Sequence, residues 1–258
     1  MKAPLVLVHA FPFGPDLWSP VVAHLEADAT WHQPVVVPAL PGFAHTALPD
    51  APPDLAVVAT QLVDHVIEPL GSASIIVAGV SLGGYVAMAV ARQRPDLLAG
   101  LILIDTKATA DATPAREGRL LMAEQAEREP SAVGELLIQQ LLPKLLGVDT
   151  QRYRPEVVAM VRSWLSQAPP ASVAWYQRAM AQRVDSLDVL RSLQVPALVV
   201  YGDQDELSPP LEQDHMVEAL PNVRRMIIQG SGHLTPLENP AELARGIATF
   251  VTTSISSN

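Results

Sequence analysis

Ser81 stands in a motif whose residue types and spacing could support nucleophilic catalysis. The motif reads Gly-Val-Ser-Leu-Gly at residues 79–83, directly after the apolar run 74–78 and just before a stretch with helical spacing, 85–92. A side chain held at a sharp corner between strand and helix needs neighbours without Cβ atoms. The helix N-terminus and the backbone N–H of Leu82 would face an oxyanion on an attacked carbonyl. The motif therefore predicts a serine nucleophile for acyl transfer.

A serine nucleophile requires an imidazole base and a carboxylate that fixes the tautomer of that base. Both follow Ser81 in the chain. Asp205 comes after the apolar run 197–201, and His233 lies in a glycine-flanked loop after the run 224–229. The order serine, aspartate, histidine is the one expected when the nucleophile sits at such a corner. The sequence therefore predicts Ser81, Asp205 and His233 as the catalytic residues.

Two other carboxylates remain open as the acid of this triad. Asp203 lies just before Asp205, and Asp105 follows the apolar run 101–104 and also precedes His233 in the chain. Either residue would satisfy the order of the triad, so position alone favours Asp205 without excluding the other two.

An oxyanion hole needs a second N–H donor besides that of Leu82. The loop that follows the first apolar run, 5–9, lies at the expected edge of the fold. Pro12 has no N–H and restrains the residue before it toward an extended conformation. The sequence therefore predicts the backbone N–H of Phe11 as the second donor.

Composition bounds the class of protein and of partner. The chain has 258 residues, 49% hydrophobic and 17% charged, which suits one large α/β domain or a core with an insertion. The net charge of −10 disfavours nucleic acid and anionic membranes, so a small-molecule substrate is expected. The absence of cysteine excludes thiolate metal sites, and no histidine pair has the spacing of a metal site, so neither a metal nor a cofactor is expected.

No targeting signal is recognisable in the sequence. Its first apolar run, 5–9, is too short for a signal peptide, and no stretch reaches the roughly 18 apolar residues that span a bilayer. A cytoplasmic location without membrane contact is the resulting expectation. The sequence is silent on oligomeric state.

Short apolar runs alternate with segments of helical spacing. Runs that are apolar on both faces are typical of parallel strands buried under helices. The runs are 5–9, 35–37, 75–80, 101–105, 197–201 and 224–229, and the helical segments include 54–68, 82–92, 211–220 and 241–251. This alternation predicts an α/β fold with a doubly wound, mostly parallel sheet of about six strands.

The alternation stops between Asp105 and Val195, where only helical spacing recurs. We expect a helical cap, 107–194, inserted after the fourth strand of a core formed by 1–106 and 195–258. Ligands of open α/β sheets bind beyond the carboxyl ends of the strands, so such a cap would roof the site. Its apolar side chains and those of the first loop could line a substrate cleft; the candidates are Phe13, Trp164, Trp175 and Met180.

Several motifs together resemble the α/β-hydrolases of the serine-esterase type with a helical cap. They are His9-Ala10-Phe11-Pro12 with Trp18, Pro41-Gly42-Phe43, residues 79–84, residues 202–209 around Asp205, and Gly232-His233 followed by Glu238-Asn239-Pro240. The motifs span nearly the whole chain in the family's order. The resemblance implies that His9 supports the oxyanion loop, and it extends to carboxylesterases, enol-lactonases, carrier-protein methyl esterases and cofactor-free perhydrolases.

The chain also departs from the family's usual pattern. Ala10 stands where the family usually has glycine, and Ala39 and Ala44 replace an aspartate and a glycine of a nearby loop. The first apolar run corresponds to the family's third strand, so a trimmed sheet is expected. None of these departures removes a catalytic group.

These observations predict a serine hydrolase that cleaves a carboxylic ester or lactone through an acyl-enzyme on Ser81. The acidic composition and the Leu- and Met-rich cap favour a small to medium, uncharged acyl group. Residues 105–108 are similar to the lactonase group. Two alternatives remain open: a non-hydrolytic enzyme, a lyase or a perhydrolase, that uses the same triad, and a ligand-binding or signalling module that merely retains it.

Overall fold

The computed structural model describes residues 2–255, in which six parallel strands form a single sheet. The strands are β1 (Leu5–Val8), β2 (Val35–Val36), β3 (Ile75–Val80), β4 (Leu98–Ile104), β5 (Ala197–Gly202) and β6 (Val223–Ile228). Their order across the sheet is β2-β1-β3-β4-β5-β6. The expected doubly wound parallel sheet is confirmed.

Helices connect and cover the strands. They are α1 (Ser19–Ala27), α2 (Leu55–Leu62), α3 (Leu82–Gln93), α4 (Thr113–Arg128), α5 (Val133–Gln140), α6 (Leu142–Leu145), α7 (Val148–Tyr153), α8 (Pro155–Ser166), α9 (Pro170–Ala181), α10 (Leu187–Ser192), α11 (Pro210–Ala219), α12 (Thr235–Glu238) and α13 (Pro240–Phe250). Helix α2 continues through a π-helical turn, Val63–Ile67. None of the helices within residues 2–255 has the length and apolar character needed to cross a bilayer.

Burial follows position in the sheet. Every residue of β1, β3 and β5 is buried, because helices cover both faces of these central strands. Strand β6 lies at one edge, and its Arg224 and Arg225 are exposed. Strand β4 begins at Leu98, before the apolar run that starts at Leu101, because Leu98 pairs with Ile75 of β3.

The parallel register brings the functional loops together. Because all five strand pairings are parallel, the carboxyl ends of the strands lie at one edge of the sheet. The loops after β1, β3, β5 and β6 carry Phe11, Ser81, Asp205 and His233, respectively. These four residues, which are far apart in the sequence, therefore lie at the same edge of the sheet.

Helices α4 to α10, called the inserted helices below, fill the chain between β4 and β5. Helix α4 packs along α9, and α5 packs against α8. The buried faces of α8 and α9 carry apolar side chains that recur at helical spacing. The division into a core and a cap at 107–194 stays a prediction, and these helices are the elements that would form the cap.

Candidate active site

Ser81 occupies a strained backbone conformation between β3 and α3. Its φ of 53° and ψ of −113° lie in a region that non-glycine residues rarely adopt. The corner is held by its backbone, because the Ser81 N–H donates to the Ile104 carbonyl at 2.9 Å and its carbonyl accepts the Thr106 hydroxyl at 2.8 Å. The surrounding contacts thus fix the conformation that aims the serine side chain out of the sheet.

The two outer glycines of the motif are required by close packing. A Cβ atom on Gly79 would collide with the carbonyl of Gly83, and one on Gly83 would collide with the carbonyl of Val8. The strand therefore approaches the first turn of α3 more closely than any side chain would permit.

Ser81, His233 and Asp205 form a continuous hydrogen-bonded chain. The Ser81 Oγ lies 2.8 Å from His233 Nε2, and His233 Nδ1 lies 2.9 Å from Asp205 Oδ2. A carboxylate only accepts, so Nδ1 carries the proton and Nε2 is free to accept the serine hydroxyl. This is the tautomer that a general base for Ser81 needs.

Asp205 is buried and held in its ionised form. Its oxygens accept hydrogen bonds from the Leu207 N–H at 2.8 Å, the Ser208 N–H at 3.2 Å and the Ser208 hydroxyl. Burial opposes ionisation, but the neighbouring His233 and these hydrogen bonds outweigh it and lower the pKa of Asp205. A fixed anion at this position stabilises an imidazolium on His233.

The environment of His233 favours its protonated form. Burial alone would lower its pKa, but the Asp205 carboxylate, with smaller effects of Asp105 and Glu238, raises the pKa of His233 above 6.5. The imidazole is therefore a stronger base than a free histidine side chain, as proton abstraction from a serine requires.

The two other carboxylates considered for the triad lie elsewhere. Asp105 accepts the Gly202 N–H at 3.1 Å and the Thr235 N–H and hydroxyl at 3.0 and 2.7 Å, and it makes no hydrogen bond to His233. Complete burial, together with the nearby Asp205 charge, raises the pKa of Asp105 to about 7. Asp203 accepts the Ser231 N–H at 3.3 Å. Of the three candidates, only Asp205 contacts the imidazole.

The backbone N–H groups of Phe11 and Leu82 are available at the same edge. Neither donates to another backbone or side-chain acceptor within residues 2–255. The Phe11–Pro12 peptide bond is cis. Both N–H groups belong to segments next to Ser81, as two oxyanion donors must.

His9 supports the loop that carries Phe11. Its Nδ1 donates to the Ala10 carbonyl at 3.0 Å, and its Nε2 accepts the Leu40 N–H at 3.0 Å. Burial lowers the pKa of His9 to about 4, so the ring is neutral at physiological pH. A neutral ring that bridges two backbone segments fits a supporting role for this loop.

Glu238 is a buried site residue to which the sequence motifs gave no role. Its Oε1 accepts the N–H groups of Gly232 and Leu234, at 2.9 and 3.1 Å, on either side of His233. Its Oε2 accepts the Gly147 N–H of the inserted helices at 2.8 Å. Its place in the Glu-Asn-Pro motif after His233 was the available signal, but sequence alone did not reveal these three bonds.

A cavity of about 600 Å³ lies beside Ser81, between the sheet edge and the inserted helices. Phe11 and His233 also line it, as does Met180, one of the four candidate substrate contacts. The other residues between β4 and β5 in its wall include Asp111, Arg119, Met122, Gln139, Gln140, Leu141, Lys144, Leu145 and Gln177.

The remaining three candidate substrate contacts lie outside the wall of this cavity. Phe13 packs edge-on against Trp164, with 5.9 Å between the ring centroids. Trp175 donates its indole N–H to the Ala51 carbonyl at 3.2 Å and packs against Tyr176. Their aromatic character made them candidates, but all three are used in packing.

The cavity wall is more charged than composition indicated. Lys107, Asp111, Arg119 and Lys144 all line it, although the whole chain is acidic. The periodicity of the inserted helices identified their apolar faces. It did not indicate which of their charged side chains line the cavity. An uncharged substrate is therefore not what this wall suggests.

Comparison with known proteins places the chain in a family. The family model for the alpha/beta hydrolase fold matches residues 3–240. The solved structure of a thermophilic esterase from Thermogutta terrifontis, with malate bound, superposes with a TM-score of 0.91 at 33% sequence identity, covering 99% of this chain and 91% of that one.

Two further proteins are similar to this chain, one in sequence and one in structure. The pimeloyl-[acyl-carrier protein] methyl ester esterase of Aromatoleum aromaticum is 26% identical over 93% of this chain and 94% of its own. The enol-lactonase of Burkholderia xenovorans superposes with a TM-score of 0.85 at 22% identity, over 98% of this chain and 92% of that one. The expectation of a carboxylic-ester hydrolase agrees with the esterases among these relatives. The chain belongs to the alpha/beta hydrolase fold family.

Proposed function

We propose that the protein is a serine hydrolase that cleaves carboxylic esters through an acyl-enzyme on Ser81. The observation that carries the proposal is the hydrogen-bonded chain from Ser81 Oγ through His233 to Asp205, with distances of 2.8 and 2.9 Å. Ser81 attacks the acyl carbonyl while His233 Nε2 takes the hydroxyl proton. Asp205 keeps the imidazole oriented and stabilises its cation.

The second half of the cycle uses the same groups. His233 first returns the proton to the departing alcohol, which leaves the acyl group on Ser81. A water molecule then attacks the acyl carbon while His233 takes its proton, the bond to Ser81 Oγ breaks, and His233 returns that proton to Oγ as the acid leaves. The N–H groups of Phe11 and Leu82 hold the negative charge on the carbonyl oxygen in both steps. Losing one such donor costs about 3 kcal/mol of transition-state stabilisation.

The proposed substrate is a small to medium ester or lactone. A cavity of about 600 Å³ suits a ligand of that size, and the inserted helices, acting as a cap, would limit its length. The names of the relatives from T. terrifontis and A. aromaticum, both esterases, support the reaction class.

A chain-length series of p-nitrophenyl esters, together with simple lactones, tests this proposal. We expect wild-type protein to hydrolyse short members of the series and Ser81→Ala to lose about six orders of magnitude in kcat. Equal rates for the two proteins would contradict the assignment.

Labelling with a fluorophosphonate separates a working triad from a retained but idle one. A serine without an aligned base reacts poorly with such a reagent, so rapid labelling at Ser81 is expected only if His233 activates it. A binding or signalling module would remain unlabelled.

A further inference from the structure

An excess of positive charge faces the same cavity as Ser81 and His233. Lys107, Arg119 and Lys144 line it, and Asp111 is the one carboxylate in its wall among the described residues. The protein as a whole carries a net charge of −10. A cationic wall inside an acidic protein is a local feature that composition does not explain.

Asp111 offsets only part of this charge. Its side chain is 1% exposed and forms ion pairs with Lys107 at 3.1 Å, Arg119 at 2.6 Å and Arg183 at 2.7 Å. Three cations thus share one carboxylate. Arg183 also lies near a second carboxylate, Glu212, whose charge helps to raise the pKa of Arg183. The Glu212 side chain accepts the Thr109 hydroxyl.

Two cations of the cavity wall, Arg119 and Lys144, keep side-chain donors that have no partner among the described residues. Arg119 uses Nε for Asp111 and Nη1 for Gln177, at 3.3 Å, while Nη2 has no partner within residues 2–255. The Lys144 ammonium forms no ion pair or hydrogen bond with any described residue, and Lys144 is exposed. Guanidinium and ammonium groups that line a cavity with unused N–H groups are suited to bind a carboxylate.

Lys144 is also the chain neighbour of a residue that contacts His233. The residue that follows it, Leu145, accepts the backbone N–H of His233 at 3.1 Å. Lys144 therefore belongs to a segment that touches the His233 loop and lines the same cavity as Ser81.

We propose that Lys144 and Arg119 bind a carboxylate of the substrate, so that the preferred substrates are esters or lactones that carry a negative charge. This inference rests on the proposed function and specifies the substrate class of the same site. It replaces the uncharged acyl group that composition favours.

Matched pairs of anionic and neutral esters test the proposal. Monomethyl and dimethyl esters of succinic, glutaric and adipic acids place the charge on the acyl side. Acetate esters of short hydroxy acids, compared with the methyl esters of those acids, place it on the alcohol side. We expect kcat/KM for at least one anionic ester to exceed that of its neutral counterpart by about ten-fold or more.

Substitutions then assign the preference to the two cations. Lys144→Gln and Arg119→Gln are each expected to lower the anionic-to-neutral ratio of kcat/KM by on the order of ten-fold. Arg116→Gln is the matched control, because Arg116 lies on α4 close to Arg119 but is exposed and outside the cavity wall. Its ratio should equal that of the wild type. Lys144 has no partner to lose, so Lys144→Gln decides the case even if Arg119→Gln does not fold.

Binding provides a readout that is independent of catalysis. Ser81→Ala should bind adipate or glutarate in calorimetry, and Lys144→Gln in that background should weaken the binding. Hydrolysis of dimethyl esters with no anionic preference and no dicarboxylate binding would overturn this inference and leave the proposed function intact. Dicarboxylate binding that responds to Lys144→Gln without any ester hydrolysis would support the subsite and contradict the proposed function.

Discussion

Two buried carboxylates lie near His233, and their partners separate their roles. Asp205 contacts the imidazole Nδ1. Asp105 instead accepts three hydrogen bonds, from the Gly202 N–H, the Thr235 N–H and the Thr235 hydroxyl. Both residues follow central strands, and Asp105 has a φ of 45°, an uncommon value for a non-glycine residue. At the residue scale, the geometry favours Asp205 as the acid and leaves Asp105 as a brace between two loops.

Replacing each carboxylate by its amide should separate these roles. Asp205→Asn removes the acceptor that fixes the His233 tautomer, so we expect kcat to fall by roughly 10⁴-fold with little change in fold. Asp105→Asn should reduce kcat far less, because the Asp205–His233 contact survives. Steady-state hydrolysis of p-nitrophenyl acetate measures both. If kcat fell more for Asp105→Asn than for Asp205→Asn, Asp105 would be the acid of the triad and Asp205 would not.

The pH dependence of hydrolysis should report His233. The base must be neutral to accept a proton, so kcat/KM should rise with pH as His233 deprotonates. Because Asp205, Asp105 and Glu238 raise its pKa, the midpoint should lie above 6.5. Asp105→Asn removes the contribution of Asp105 to this raised pKa and should move the midpoint downward. A wild-type midpoint below 6.5 in the pH–rate profile would be inconsistent with this environment.

At the scale of elements, two features hold the proposed catalytic groups: the close approach of β3 to α3, and Glu238 at the end of α12. Glu238 joins the His233 loop to Gly147 of the inserted helices through three backbone N–H groups. The first feature sets the position of Ser81, and the second sets that of His233. Each can be altered without touching a reacting atom.

Gly83→Ala should destabilise the fold. The added Cβ would meet the Val8 carbonyl, and overpacking of this kind costs about 1–3 kcal/mol. Gly118→Ala is the control, because a Cβ there meets nothing within 4 Å, and alanine in a helix is favoured over glycine by about 0.5–1 kcal/mol. Urea unfolding should show opposite signs for the two variants, and a loss of stability in both would remove the packing argument.

Glu238→Gln should impair catalysis through the His233 loop. An amide nitrogen would face at least one backbone N–H that the carboxylate now accepts, and an unpaired buried donor costs about 1–3 kcal/mol. We expect a decrease in kcat of about ten-fold or more and a lower midpoint of the pH–rate profile, since Glu238 also raises the pKa of His233. Glu218→Gln, on the exposed face of α11, is the control. An unchanged pH midpoint with lower stability would assign Glu238 a structural role only.

At the scale of the whole molecule, the sheet could be predicted from sequence and the cavity could not. The central strands β1, β3 and β5 are buried on both faces, so their apolar runs mark them directly, and the parallel topology then places Ser81, Asp205 and His233 at one edge. Proximity at that edge follows from strand order alone.

The wall of the cavity depends on how helices rotate against the sheet, which periodicity does not specify. Met180 lines the cavity, whereas Trp175, five residues earlier in the same α9, is buried outside the cavity wall and donates its indole N–H to the Ala51 carbonyl. Lys107 and Arg119 enter the wall through their ion pairs with Asp111, a contact between residues whose meeting no local pattern indicates. Side-chain polarity in a pocket is therefore the part that required a structure.

Because the cavity wall is cationic while the whole molecule is acidic, the preference for anionic esters should depend on salt concentration. Raising the ionic strength from about 0.1 to 1 M shortens the screening length from roughly 10 to 3 Å. We expect kcat/KM for the preferred anionic ester to fall relative to its neutral counterpart, because the attraction of the cavity cations is screened. A ratio independent of salt would argue against charge recognition at this site.

Acylation of Ser81 is the most direct test of the central claim. Wild-type protein mixed with p-nitrophenyl acetate and quenched in acid within the first turnover should gain one acetyl group, which peptide mass spectrometry locates on Ser81. His233→Ala should show no such adduct on the same timescale, because its serine lacks a base. Hydrolysis by the wild type without an acetyl group on Ser81, or with the group on another residue, would contradict the account.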